Sequence, residues 1–126
     1  MGTNDEAPPP AESASVDVEL RPRRLPSFAA IVTLRGEHDV ATSADVRGAL
    51  GPIYGNVLVD LSDCRFIDST VIGALLVKHQ ELEREGHRLE LIASPTNPMI
   101  ARTLSIVGLD ALVVVHDSMP AGESRD

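Results

Sequence analysis

The chain has 126 residues and a formal net charge of −8, with a pI near 4.8; that suits one domain and matches phosphate backbones and anionic membrane surfaces poorly. A single cysteine, Cys64, excludes an intramolecular disulfide and a cysteine metal cluster, while 2% aromatic residues without tryptophan leave no base-stacking platform and require an aliphatic core. The opening residues lack the basic and apolar regions of a signal peptide, and no apolar run approaches the ~20 residues of a membrane span, so a cytoplasmic location is expected.

Residues 1–14, rich in Pro, Ala, Glu and Ser, are expected to form a disordered tail. The domain is expected over 15–117, with a second flexible tail over 118–126. Val16, Val18 and Leu20 alternate with Asp17 and Glu19, the period of a half-buried edge strand. Arg21–Ser27 reads as a loop with a local basic cluster, and Phe28 to Leu34 completes an antiparallel hairpin. Gly36-Glu37-His38-Asp39 reads as a polar turn. Thr42 or Ser43 caps a short helix with Asp45 in its first turn, an apolar side of Val46, Ala49 and Leu50, and a stop at Gly51-Pro52. Val57–Leu61 is nearly all apolar, as in a strand buried on both faces, and Asp60 and Asp63 close the turn after it by accepting backbone amides. The pair Phe66-Ile67 leads into Asp68-Ser69-Thr70. A helix follows, with Val71, Ile72, Leu75, Leu76, His79 and Leu82 on one face and Gly86 as its stop. Arg88–Ala93 is a strand. Pro98 opens another helix, capped by Thr96 or Asn97, whose buried stripe is Ile100, Leu104 and Val107 and whose stop is Gly108. Ala111–His116 is the last strand. The order β-β-α-β-α-β-α-β predicts an α/β domain. Its mixed, mostly parallel sheet has about five strands, an N-terminal antiparallel hairpin and helices packed on it.

Ser69 stands at a strand-to-helix turn, where a hydrolase places its nucleophile. Yet Ile67-Asp68-Ser69-Thr70-Val71 is not G-x-S-x-G, and His38, His79, His87 and His116 follow no motif. Asp60 ends a buried strand as a phosphoacceptor would, but no acidic pair follows the first strand to hold magnesium. The histidines have no metal-ligand spacing, and neither a phosphate-cradling loop nor a dinucleotide fingerprint occurs. Cys64 beside Arg65 reads as a small side chain in a turn and not as an activated thiol. No catalytic residue, metal or cofactor is assigned, and an enzyme is not expected. Two readings of Asp68-Ser69-Thr70 stay open. One is a helix cap supplied by Asp68 or Ser69. The other is a phosphorylation site: a phosphate adds about −1.5 to −2 charges, the helix N-terminus tolerates it, and a partner's carboxylates would be repelled by it.

The string Phe66-Ile67-Asp68-Ser69-Thr70-Val71-Ile72-Gly73-Ala74-Leu75 resembles the signature of STAS domains, in particular of bacterial anti-sigma-factor antagonists. Leu34-Arg35-Gly36-Glu37-His38-Asp39 resembles the family's L-x-G-E-[hydrophobic]-D. Val59-Asp60-Leu61-Ser62 resembles its hydrophobic-D-L-S strand end. Ser94-Pro95 with Arg102 to Leu109 resembles its S-x-x-V segment ending in G-L. The likeness spans about residues 16–116. It implies that Ser69 is the residue phosphorylated by a partner, an anti-sigma factor with serine kinase activity. The unphosphorylated chain would bind that partner and release a sigma factor, so regulating transcription; a serine phosphatase would restore it. Thr70 matches a secondary hydroxyl phosphorylated in some relatives. Gly36, Glu37, Asp39, Asp68, Ser69, Thr70, Val71 and Gly73 are the implied partner-binding residues. Val71 replaces a common glycine and is expected to narrow the approach to Ser69; His38 replaces a hydrophobic residue. The chain also stops where the family carries one more helix, which would leave one sheet face less covered and suited to a partner or a homodimer. The alternative is an unphosphorylated STAS scaffold or transport-associated subunit, for example of a lipid ABC transporter.

Overall fold

The computed structural model describes residues 14–123, so the expected tail over 1–14 lies, but for its last residue, outside the described residues. In chain order the elements are β1 (Ser15–Leu20), β2 (Ala30–His38), a 3-10 turn (Val40–Thr42), α1 (Ser43–Leu50), β3 (Val57–Asp60), β4 (Cys64–Ile67), α2 (Ser69–Arg84), β5 (Leu89–Ile92), α3 (Pro98–Val107), a second 3-10 turn (Leu109–Ala111) and β6 (Val115–His116). The sheet order is β1-β2-β3-β5-β6. β1 pairs antiparallel with β2, and the remaining pairs are parallel. This is the predicted mixed α/β sheet with its N-terminal hairpin.

The main core lies between one face of this sheet and the helices. Ala30, Val32 and Leu34 of β2, Val57 and Val59 of β3, and Leu89 and Leu91 of β5 alternate inward. They meet Val46 and Leu50 of α1, Val71, Ile72, Leu75 and Leu82 of α2, and Ile100 and Leu104 of α3. One charged group enters this layer. Lys78 is buried, and its Nζ donates to the carbonyls of Gly51 and Ile53 at 3.3 and 2.9 Å. The ammonium thereby satisfies a carbonyl at the C-cap of α1 and one in the segment that follows it.

Four features differ from the sequence expectation. β2 does not end at Leu34 but continues through Gly36, Glu37 and His38, read above as a turn. Gly36 is buried at φ 83°, a backbone conformation that Gly adopts without penalty. This lets the strand go on to pair with β4, a sixth strand that the sequence reading leaves within a turn. The register runs Gly36 with Cys64, then Glu37 with Phe66, so Arg65 is the extra residue of a bulge. The final strand is shorter than expected, because Leu109–Ala111 forms a 3-10 turn. With that turn Leu109 enters the core and Val107, expected inside, is exposed. The segment 118–123 is not a free tail: Met119 packs on the second face of the sheet and Glu123 bonds Ser27.

On that second face Glu90 is buried. Its Oε1 accepts from His116 Nε2 at 2.7 Å, and its Oε2 accepts from Arg88 Nε. Burial pushes this carboxyl up, but the hydrogen bonds of His116 and Arg88 outweigh it and leave the group below its ordinary value of 4.5. A lowered folded pKa contributes stability above the ordinary carboxylate range, and that stability is lost as pH falls through the folded pKa. Urea unfolding from pH 6 to pH 3 should therefore show a loss that is smaller in Glu90→Gln. Leu75→Ala, at a fully buried helix position, should cost about 2–5 kcal/mol at pH 7.

Candidate functional site

The site forms where β2 and β4 end side by side. Parallel pairing places His38 opposite Ile67, and the Asp68 N–H continues the ladder to the His38 carbonyl at 2.8 Å. Two segments far apart in sequence, Gly36–Thr42 and Asp68–Thr70, are thus brought together.

Each segment carries a carboxylate cap. Asp39 is extended, and its Oδ1 accepts the Ala41 N–H at 2.9 Å, opening the first 3-10 turn. Asp68 is the N-cap of α2, which settles the choice left open between Asp68 and Ser69. Its Oδ2 accepts the Thr70 N–H at 3.2 Å and the Thr70 hydroxyl at 2.8 Å. The Thr70 hydroxyl, then its backbone N–H, holds the Asp68 carboxyl below its usual value. The two hydroxyls therefore differ. Thr70 is engaged by its own cap. Ser69, the first residue of α2, is exposed, and its hydroxyl makes no hydrogen bond among the described residues.

His38 builds the other wall from inside. Its ring is fully buried, with Nε2 at 3.1 and 3.0 Å from the carbonyls of Ser15 and Arg35 and Nδ1 at 3.0 Å from Thr42 Oγ1. Both neighbours of Nε2 are acceptors, so Nε2 carries a proton and donates. The imidazole fills a core position like the hydrophobic residue it replaces, and its two nitrogens also tie β1, β2 and the 3-10 turn together.

Of the residues singled out in the sequence, Glu37, Asp39, Asp68, Ser69 and Thr70 gather at this end, with Asp68 partly exposed and the others exposed. Gly36 is buried and acts through the backbone. Gly73 lies one turn along α2, with open space above its Cα. Val71 differs from the expectation that it narrows the approach to Ser69: it is 0% exposed and packs in the main core, so its side chain is directed away from the surface that presents the hydroxyl.

Two exposed apolar residues flank the site and escape the sequence reading: Val40, 66% exposed, and Phe66, 43% exposed. The bulge turns consecutive residues Arg65 and Phe66 outward. That break in alternation is invisible without the partner strand. Cys64 is buried, donates to the Phe66 carbonyl, and is pushed up to about 11 by burial. Among the described residues no cluster of three His, Cys, Asp or Glu side chains is disposed to hold a metal ion. No helix among them is long and apolar enough to cross a membrane.

Residues 23–115 match the family model described as "Mlab, STAS domain". No curated protein matches the chain. Among solved structures, an anti-sigma factor antagonist from Mycobacterium paratuberculosis is similar at 20% identity with a TM-score of 0.71, over 86% of this chain and 89% of that one. The anti-sigma factor antagonist SpoIIAA in its unphosphorylated form is similar at 21% identity and TM-score 0.61, over 83% and 90%. The phosphorylated form, described as a Bacillus cell fate determinant, is similar at 20% identity and TM-score 0.59, over 80% and 90%. At these identities the likeness is one of fold.

The cap geometry has a direct readout. The Asp68 carboxyl carbon should titrate by NMR below the ordinary value of 3.8, and Thr70→Val should move the midpoint back up. A midpoint unmoved by that change would contradict the Thr70–Asp68 hydrogen bonds.

Proposed function

The chain belongs to the STAS domain family, and from that premise we propose that it is an anti-sigma-factor antagonist switched at Ser69. Unphosphorylated, it binds an anti-sigma factor with serine kinase activity and frees a sigma factor. Phosphorylation at Ser69 breaks the complex, and a serine phosphatase restores it. The observation that carries this reading is the contrast between neighbouring hydroxyls: Ser69 exposed at the first position of α2, Thr70 held by Asp68.

The chemistry is one transfer. Ser69 Oγ bonds the γ-phosphorus of ATP, the β–γ anhydride bond breaks, ADP leaves, and the hydroxyl proton passes to a base of the kinase. ATP and magnesium belong to that partner, and this chain presents a substrate hydroxyl. Asp68 orders the backbone of the first helical turn and keeps Thr70, the secondary hydroxyl, occupied.

The effect of the phosphate follows from its surroundings. Glu37, Asp39 and Asp68 already make this end acidic, while Val40 and Phe66 supply its apolar contact area. A partner covering Val40, Ser69 and Phe66 together would have to desolvate a phosphoryl dianion, a cost that favours release. The α2 N-terminus tolerates the added charge, so the domain stays folded. Gly36, Glu37, Asp39, Asp68, Thr70 and Gly73 complete the partner surface in this reading; Val71 supports it from beneath.

A second reading, a STAS scaffold on the ATPase subunit of a transporter, is favoured by one observation. The matching family model carries the description "Mlab, STAS domain" and does not name an antagonist. Intact mass of the chain isolated from its native cell, before and after phosphatase treatment, separates the two. The antagonist reading expects one removable phosphate mapping to Ser69, lost in Ser69→Ala and retained in Thr70→Val. Co-purification with an ATP-binding-cassette subunit, without any phosphate, would favour the scaffold.

A further inference from the structure

The helices cover one side of the sheet, and the other side is covered in a different way. On this second face Ile31 of β2, Leu58 of β3 and Ile92 of β5 form an apolar row, with Ile31 opposite Leu58 in the parallel register. Leu25 and Phe28, from the loop before β2, lie over one part of the row, and Met119 packs against the same cluster. The chain then runs to the loop once more. The Glu123 N–H donates to the Arg24 carbonyl at 2.8 Å. The Glu123 carboxylate accepts from the Ser27 N–H at 2.9 Å and from Ser27 Oγ at 2.6 Å, one bond on each oxygen.

Residues 119–123 contain no helix or strand. They are held as a bound peptide is held: one partly buried apolar side chain against the apolar row, one carboxylate four positions on in a pair of donors, and one backbone hydrogen bond between them and the loop. The receiving loop is also cationic on an acidic chain. Arg21, Arg23 and Arg24 are exposed and form no ion pair among the described residues.

We propose that the face formed by Ile31, Leu58 and Ile92 with the 21–27 loop is a peptide-docking surface. Residues 119–123 fill it in cis, and it accepts in trans an acidic partner peptide with the same pattern, an apolar residue followed four positions on by a carboxylate. The cis segment competes at an effective concentration in the millimolar range, so a partner peptide enters only as that segment lifts. The Arg cluster draws acidic peptides toward the loop and makes docking salt-sensitive. This surface is independent of Ser69 and of the role given to it.

The test uses the full chain. Met119→Asp with Glu123→Gln removes both anchors, and the probe is a fluorescein-labelled synthetic peptide carrying the sequence of residues 117–126, followed by anisotropy. The peptide should bind the double variant at least tenfold more tightly than the wild type. The same peptide with its Met and Glu replaced should bind neither chain, and added salt should weaken the complex. Equal binding to both chains, or to neither, would overturn the proposal. So would dimerisation of the variant without peptide binding, which would assign the face to a second copy. If the double variant unfolds, amide exchange decides: Ser27→Ala in the otherwise native chain should speed exchange at the Glu123 N–H several-fold and leave the β3 amides unchanged. Uniform acceleration would count against a separately docked segment.

Discussion

The parallel pairing of the last residues of β2 with β4 is the constraint on which the candidate site depends. It is a short ladder, three pairs interrupted by a bulge, extended by the hydrogen bond from Asp68 to the His38 carbonyl. Without it, the acidic end of β2 at Glu37–Asp39 and the start of α2 would be separate. With it, they form one surface whose geometry is set by backbone hydrogen bonds, not by flexible side chains. The buried His38 reinforces this from within by holding Ser15, Arg35 and Thr42 around a single ring.

Period and punctuation made much of the fold legible in the sequence. The alternation in β1, the apolar run of β3, the helical spacing of α2 with Gly86 after it, and Pro98 opening α3 all correspond to elements of the structure. What local sequence does not show is long-range. Gly36-Glu37-His38 carries every mark of a turn, and only a partner strand makes it a strand. Cys64–Ile67 is too short, and too irregular in its alternation, to declare itself. Helical spacing puts Lys78 between Leu75 and Leu82 on the inward face of α2, but the carbonyls of Gly51 and Ile53 that satisfy its ammonium there come from the segment after α1, which local sequence does not encode.

The site shows the same division. Asp68, Ser69 and Thr70 stand out because a cap, a hydroxyl pair and a helix start are local features. The difference between the two hydroxyls is not legible, since it depends on which one the cap engages. The inward turn of Val71 is hidden for a related reason. Val71 lies two residues from Ser69 in sequence, but helical geometry turns it inward to Leu75 and the sheet. The exposure of Phe66 and Val40 is not legible because it is a property of the fold, and a motif does not carry it.

The bulge at Arg65 has a further consequence, for length and not for composition. A pleated strand keeps a phase of two, and one additional residue shifts that phase for everything downstream. Arg65 shifts it between Cys64 and Phe66, so Ile67 faces the core and α2 begins with Ser69 outward and Val71 inward. The Arg65 side chain itself is exposed, so the fold requires the position to be occupied and says little about what occupies it. It is a spacer: its chemistry is free to drift, while its removal would rotate the whole presentation of Ser69.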